Sequence, residues 1–133
     1  MKILVDSNVL VSALFYPNSK PAKALFHVAN NHDLVLCDDN IDELRRIAIE
    51  KFPHVRADID LFLTELTYEL ITAIDSPEKI IRDSKDIPIL NAAIIANVDI
   101  VITGDMDFLV LNLEQPKTIN ASDYIMNYVS DEE

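Results

Sequence analysis

Carboxylates stand at the ends of two strand-like runs in this chain of 133 residues. The apolar run Lys2–Val5 ends in Asp6. The run Asp99–Thr103 is followed closely by Asp105 and Asp107. Mg²⁺ and Mn²⁺ prefer oxygen ligands and usually bind through few protein carboxylates, which leaves room for water and phosphate. The chemistry that these positions indicate is metal-dependent hydrolysis, as in a small nuclease.

Two further acidic residues stand where helical patterns begin. Glu43 opens one helix-like segment, and Asp86 opens another. In an open parallel sheet, ligands collect beyond the carboxyl ends of the strands, where the strand order reverses. If the first and fourth strands are neighbours at that point, Asp6 and Asp105 converge there. Glu43 and Asp86 would then begin helices that leave from the same edge.

Strand-like runs alternate with helical patterns along the chain, which predicts an α/β fold with a parallel sheet covered by helices on both faces. The predicted strands are Lys2–Val5, Asp33–Cys37, Tyr68–Ile74, Asp99–Thr103 and Lys117–Asn120. Apolar stripes at helical spacing predict helices that begin near Pro21, Ile41, Val55, Pro88, Asp107 and Asp123. Residues 1–129 are expected to form one domain, followed by an acidic tail over 130–133.

The bulk composition bounds the class of protein. The net charge of −12, from 11 Lys and Arg against 23 Asp and Glu, argues against nucleic acid as a generic partner. It does not exclude nucleic acid, because an acidic cluster becomes less negative when it binds divalent ions. The single Cys37 follows an apolar run, which predicts a buried, inert thiol in a reducing compartment. No run approaches the roughly 20 apolar residues of a membrane helix, so we expect a cytoplasmic protein.

Each acidic residue also has a simpler interpretation as a helix cap. Asp6, Asp86 and Asp105 could each cap the helix that follows. The segment from Asn40 to Glu43 matches a capping box, with Glu43 at the third helical position. Independent caps give no reason for all these residues to share one edge of the sheet. Spacing alone leaves both interpretations open.

Several polar or small residues accompany the acids. Ser7, Asn8 and Thr103 are candidates for groups that orient carboxylates or waters, with local turn bonding as the alternative. Gly104 is the only glycine, and it permits a turn with positive φ or a close backbone approach, with an ordinary tight turn out of the strand as the alternative. A chain with one glycine cannot contain a glycine-rich phosphate loop. The three histidines have no metal-ligand spacing.

Three segments resemble the sequence motifs of PIN-domain proteins. They are Ile3–Ala13, Asp86–Ala93 and Ile100–Leu109, and they occur in the order found in that family. The chain is most similar to the small VapC-like toxins of toxin–antitoxin pairs. The resemblance implies a three-layer α/β/α sandwich with a central parallel sheet, and Mg²⁺- or Mn²⁺-dependent cleavage of RNA.

The resemblance also implies which residues form the site. In such families, acids hold the metal at the positions of Asp6, Glu43, Asp86 and Asp105. A residue like Asp107 often assists. An RNA substrate follows from the same resemblance, as do an antitoxin protein and a homodimer as further expected partners.

Supporting roles are implied for three more positions, Ser7, Asn8 and Thr103, which are commonly polar in the family. Asp42 competes with Glu43 because the two are adjacent, and Asp83 competes with Asp86. Asp86 has the spacing of the motif, whereas the surroundings of Glu43 are weakly patterned.

Two other classes of function compete with a nuclease. The acidic net charge favours a catalytically inactive PIN-like protein that acts as a binding module. A phosphotransfer domain also uses aspartates at strand ends. A phosphatase of the haloacid-dehalogenase type would need Asp at position 8, where Asn8 stands, and a receiver domain would need a lysine where Thr103 and Gly104 stand.

Overall fold

A computed structural model of the protein describes residues 1–51, 56–74, 87–110 and 115–129. The strands are β1 Lys2–Val5, β2 Asp33–Cys37, β3 Glu69–Ile71, β4 Ile100–Ile102 and β5 Lys117–Ile119. The helices of the described residues are α1 Ser7–Phe15, α2 Lys20–Asn31, α3 Asp38–Lys51, α4 Arg56–Glu65, α5 Ile87–Ile95, α6 Met106–Leu109 and α7 Ala121–Tyr128.

The five strands form one parallel sheet in the order β3-β2-β1-β4-β5. Strand β1 lies at the centre, with Ile3 opposite Leu34 of β2 on one side and opposite Ile100 of β4 on the other. Strands β2 and β3 are therefore added in turn on one side of β1, and β4 and β5 are added in turn on the other side. The strand order reverses between β1 and β4, as the sequence analysis required for the acids to converge.

Alternation along the strands divides the core into two layers, because successive side chains of a strand point to opposite faces. Ile3 and Val5 pack in the larger apolar cluster, which also contains buried residues of α1, α2, α3, α4 and α7. Leu4 packs in the second cluster with Ile89 and Ala93 of α5. Helices thus cover both faces of the sheet, and the predicted three-layer α/β/α fold is confirmed.

The helices of the described residues follow their sequence signals closely. Pro21 lies in the first turn of α2, whose N-cap Ser19 accepts a hydrogen bond from the Ala22 amide. Pro88 likewise lies in the first turn of α5. The longest of these helices, α3, has 14 residues. None of the helices in the described ranges is long and apolar enough to cross a membrane.

Some predicted boundaries were wrong. The third strand was expected to continue to Ile74 but ends at Ile71, because the chain beyond it bonds elsewhere: the Ala73 amide donates to Asp38 and the Ile74 amide to the Pro88 carbonyl. Helix α3 begins three residues earlier than the predicted start at Ile41, directly after β2. Helix α6 begins at Met106 rather than after Asp107.

Candidate functional site

Asp6 lies at the point where the strand order reverses. Its backbone amide donates to the Ile102 carbonyl at 3.0 Å, which fixes the residue beside the end of β4. It is also the N-cap of α1, where its carboxylate accepts a hydrogen bond from the Ser7 amide at 2.8 Å. The capping interpretation is therefore correct for Asp6. Capping does not explain the remaining contacts of this side chain, which is only 8% exposed.

Two buried side chains hold the Asp6 carboxylate from opposite sides of β1. The Thr103 hydroxyl, just beyond β4, donates to Oδ2 at 2.8 Å. The Asn40 amide group, in α3 just beyond β2, donates to Oδ1 at 3.1 Å. Both Thr103 and Asn40 are completely buried. One side chain from each side of the central strand therefore donates a hydrogen bond to the same carboxylate.

Thr103 also shapes the turn that carries Asp105. Its hydroxyl oxygen accepts a hydrogen bond from the Asp105 amide at 2.9 Å, while its proton goes to Asp6. This local side-chain bond sets the turn. Gly104 lies in an ordinary turn, the alternative considered for it, because it does not have positive φ and a Cβ added there would meet open space.

The electrostatics of the site follow from this crowding. Burial raises the pKa of the Asp6 carboxyl above its ordinary value, and hydrogen bonds from Thr103 and Ser7 offset part of the increase. The negative charges of Glu43 and Asp105 raise this pKa further. The structure therefore brings Glu43 and Asp105 each within electrostatic reach of Asp6. The Glu43 side chain is 35% exposed and lies 4.0 Å from the Arg46 guanidinium.

The remaining predicted residues are placed as follows. Asp83 and Asp86 lie outside the described residues, as does the side chain of Asp107, whose backbone belongs to α6. Asp42 is exposed, whereas its neighbour Glu43 is partly buried and interacts with Asp6. Asn8 is exposed on α1 and has no hydrogen bond to Asp6 in the described part of the chain.

Asn40 is the site residue whose role the sequence analysis missed. The capping box that began at Asn40 was wrong, because α3 follows β2 without a loop and Asn40 is its third residue. From that position its side chain turns inward to Asp6. Its Oδ1 atom is buried and has no hydrogen-bond partner among the described residues. The available signal was the spacing of Asn40 and Glu43, since residues at i and i+3 share one helix face.

The acidic side chains of the site can be compared with the ligands that a divalent cation requires. Among the residues that the structure describes, no three His, Cys, Asp or Glu side chains lie close enough together to hold a metal ion. A closed cage of direct protein ligands is therefore not formed by these residues. Asp6, Glu43 and Asp105 supply only oxygen, and Mg²⁺ commonly uses one or two carboxylates and keeps several waters. The oxygen donors of these residues are therefore of the kind that a hydrated divalent cation uses.

The fold and the site together define an α/β domain with an acidic centre where the strand order of a parallel sheet reverses. The profile of the PIN domain matches residues 2–107, which is most of the chain. The protein therefore belongs to the PIN-domain family.

A solved structure has a similar fold. It is the crystal structure of VapBC2 from Rickettsia felis bound to a DNA fragment from their promoter. The similarity has a TM-score of 0.67 at 19% sequence identity, and it covers 90% of this chain and 98% of that one. No curated protein matches the sequence significantly.

Proposed function

We propose that this protein is a metal-dependent endoribonuclease that hydrolyses RNA phosphodiester bonds. The observation that supports this most directly is the environment of Asp6. A carboxylate that is 8% exposed is held by two completely buried side chains while the charges of Glu43 and Asp105 oppose its ionisation. A divalent cation bound between these carboxylates would relieve the repulsion. A group of acids of this kind is suited to a hydrolytic metal site.

In this proposal the metal is held by Asp6, Glu43, Asp86 and Asp105, and Asp107 assists. When bound, Mg²⁺ or Mn²⁺ lowers the pKa of a water molecule and stabilises charge on the phosphate. Thr103 and Asn40 orient the Asp6 carboxylate through their hydrogen bonds. The Ser7 amide holds the same oxygen atom that Asn40 contacts. Asn8 is available to substrate because it is exposed beside the site.

We further propose that the protein is the toxin of a toxin–antitoxin pair and acts in the cytoplasm. The similar fold in the VapBC2 complex supports this role. An antitoxin protein and a second copy of the chain are the proposed protein partners. Co-expression with the product of the neighbouring gene tests the pairing, because an antitoxin should co-purify with the chain and suppress its activity.

The nuclease is tested by incubating single-stranded and structured RNA with the purified chain in Mg²⁺, Mn²⁺ or a chelator. Asp6→Asn should reduce cleavage at least about 100-fold, since loss of even an outer-shell partner typically costs 10–100-fold. Asp38→Asn is the matched control, because Asp38 also follows a strand at this edge but bonds to the backbone of Ala73 and Asp39. The control should cut RNA at nearly the wild-type rate.

If the wild-type chain and Asp6→Asn show the same trace of metal-dependent cleavage, the activity is a contaminant and the nuclease proposal fails. The acidic net charge of −12 favours one alternative, an inactive PIN-like binding module. Calorimetric titration with Mn²⁺ distinguishes the two functions. A working site gives saturable heat that Asp105→Asn removes, whereas a module with a dead site gives none.

A further inference from the structure

A cavity of about 510 Å³ opens directly beside the acidic centre. We call it the α1–α7 groove, because its walls come from α1, the start of α2, the turn before α6, α6 itself and the start of α7. The residues that characterise it are Asn8, Ser12, Lys20, Thr103, Met106 and Asn120. Thr103 is a wall of the groove and also donates to Asp6 Oδ2 at 2.8 Å. The groove and the carboxylates are therefore contiguous.

The lining combines an apolar surface with a few polar groups. Val9, Met106 and Leu109 supply apolar surface, and Met106 is 66% exposed on it. Asn8 and Ser12 lie one turn apart on α1 and bring an amide and a hydroxyl to the same groove. Pockets for small organic groups have this composition and typically measure roughly 300–1,000 Å³. The size suits one nucleotide and excludes a double helix.

Lys20 gives the groove its cation. It is the first residue of α2, it is exposed, and no ion pair or hydrogen bond joins its ammonium group to the described residues. A lysine in the first turn is unfavourable for the helix itself, because the amino end of a helix already carries partial positive charge. The amide groups of this turn add little to an anion site, because Pro21 has no amide proton and the Ala22 amide already donates to Ser19. The ammonium group of Lys20 is therefore the group that would attract an anion such as phosphate. Helix stability therefore does not account for this residue.

We propose that the α1–α7 groove binds one nucleotide of single-stranded RNA next to the phosphodiester that is cut. The base lies on the apolar surface around Met106, and Lys20 contacts the phosphate that follows. This inference rests on the proposed nuclease function and names the part of the substrate that the site would recognise. In a chain with a net charge of −12, a single cation at this position would contribute much of the local attraction for the RNA backbone.

Binding of a fluorescent, short single-stranded oligoribonucleotide tests this groove by anisotropy in Mg²⁺. An Asp6→Asn background keeps the RNA uncut during the measurement. Adding Lys20→Ala should weaken affinity about three- to tenfold and lower the salt dependence by about one counterion. Lys23→Ala is the matched control, because Lys23 is an exposed lysine of the same helix that lines a different cavity. It should leave the affinity unchanged.

The apolar surface is tested in the same assay. Met106→Ala should weaken binding about threefold because the base loses its contact surface. Met126→Ala is its control, since Met126 is also a highly exposed methionine, on α7, and does not line the groove. The groove proposal is overturned if RNA does not bind, if Lys20→Ala binds as tightly as its parent, or if Lys20→Ala and Lys23→Ala weaken binding equally.

Failure of the groove can be told apart from failure of the nuclease. If wild-type protein cuts RNA and Asp6→Asn does not, while Lys20→Ala changes nothing, only the groove proposal falls. If RNA binding depends on Lys20 but wild-type protein never cuts, the nuclease proposal falls and the groove remains as an RNA-binding site.

Discussion

Asp6 and Asp38 occupy equivalent places in the sheet but have opposite electrostatic environments. Each follows directly after a strand, β1 or β2, and each stands at the beginning of a helix. The pKa of Asp6 is raised, mainly by burial. The pKa of Asp38 is lowered, mainly because the Ala73 amide donates to its carboxylate at 2.9 Å. The same residue type at the same kind of strand end is therefore destabilised as an anion in one place and stabilised in the other.

Under the proposed function, the difference separates a structural aspartate, Asp38, from a metal-binding one, Asp6. Asp38 accepts hydrogen bonds from the Ala73 and Asp39 amides and so joins α3 to the segment after β3. Its neighbour Cys37 is buried, as predicted, and burial raises the pKa of its thiol to about 12. Asp6 accepts similar bonds but stands among other acids. Repulsion of that kind is retained where a ligand relieves it.

Asp6 differs from Asp38 in accepting a hydrogen bond from the Thr103 hydroxyl. We expect the removal of this hydroxyl to have the largest effect. Thr103→Val keeps the shape but removes the bond to Asp6 and the acceptor for the Asp105 amide. We expect Mn²⁺ affinity, measured by calorimetry, to fall roughly 10–100-fold. Thr64→Val is the control, because its hydroxyl bonds only within α4. Equal affinity in the two variants would contradict the role assigned to Thr103.

A smaller effect is expected on the stability of the other aspartate. Asp38→Ala should lower the free energy of unfolding by about 1–2 kcal/mol, because the Ala73 amide loses its acceptor. Partial solvent exposure of Asp38 keeps the loss toward the lower end of that range. Asp38→Asn should recover most of it, since its amide oxygen can still accept. Urea denaturation measures both variants, and identical losses would show that the hydrogen bond is unimportant.

The smallest effect concerns pH. The pKa of Asp6 is higher in the folded protein than in the unfolded chain, where it is about 4. The ionised carboxylate therefore lowers the stability of the folded state at pH values above the folded pKa. This loss disappears as the pH falls below the unfolded pKa, because the carboxyl is then protonated in both states. Asp38 has a lowered pKa, so its contribution is present above the unfolded value and is lost as pH falls through the folded one. Without metal, Asp6→Asn should therefore melt at a higher temperature than wild type near pH 7, and the gain should vanish in acid.

Thermal unfolding is sensitive enough for this test, because about 1 kcal/mol shifts the midpoint of a domain of this size by roughly 3–6 °C. Added Mn²⁺ should raise the midpoint of wild type more than that of Asp6→Asn. A variant that melts below wild type at every pH would mean that the hydrogen bonds of the carboxylate outweigh its repulsion.

Buried strands were the most predictable part of this fold. β1 and β2 have the predicted bounds because their inner residues are apolar on both faces, so the whole run is visible in the sequence. β3 is an edge strand whose residues are largely exposed, and its end depends on bonds to Asp38 and Pro88 that the local sequence does not reveal. The edge of a sheet depends on partners far along the chain, whereas its centre depends on burial.

The site likewise contains residues whose positions could be predicted from the sequence and residues whose positions could not. The meeting of Asp6 and Asp105 could be predicted because strand ends and strand order determine it. Asn40 could not be placed, because its role depends on α3 beginning without a loop after β2. The sequence could not decide between the two interpretations of Gly104 for a related reason. The Thr103 hydroxyl accepts a hydrogen bond from the Asp105 amide and shapes the turn, so the conformational freedom of the glycine is not used.

The two hydrogen bonds that Asn40 and Thr103 donate to Asp6 have a consequence for the synthesis of the protein. Asn40 is 34 positions away along the chain, and Thr103 is 97 positions away. Contacts over such separations form only after long loops have closed. A growing chain that has not yet emerged from the ribosome beyond Thr103 cannot orient its first aspartate fully. Under the proposed function, the metal site would therefore be completed only after the segment that carries Thr103 has been made.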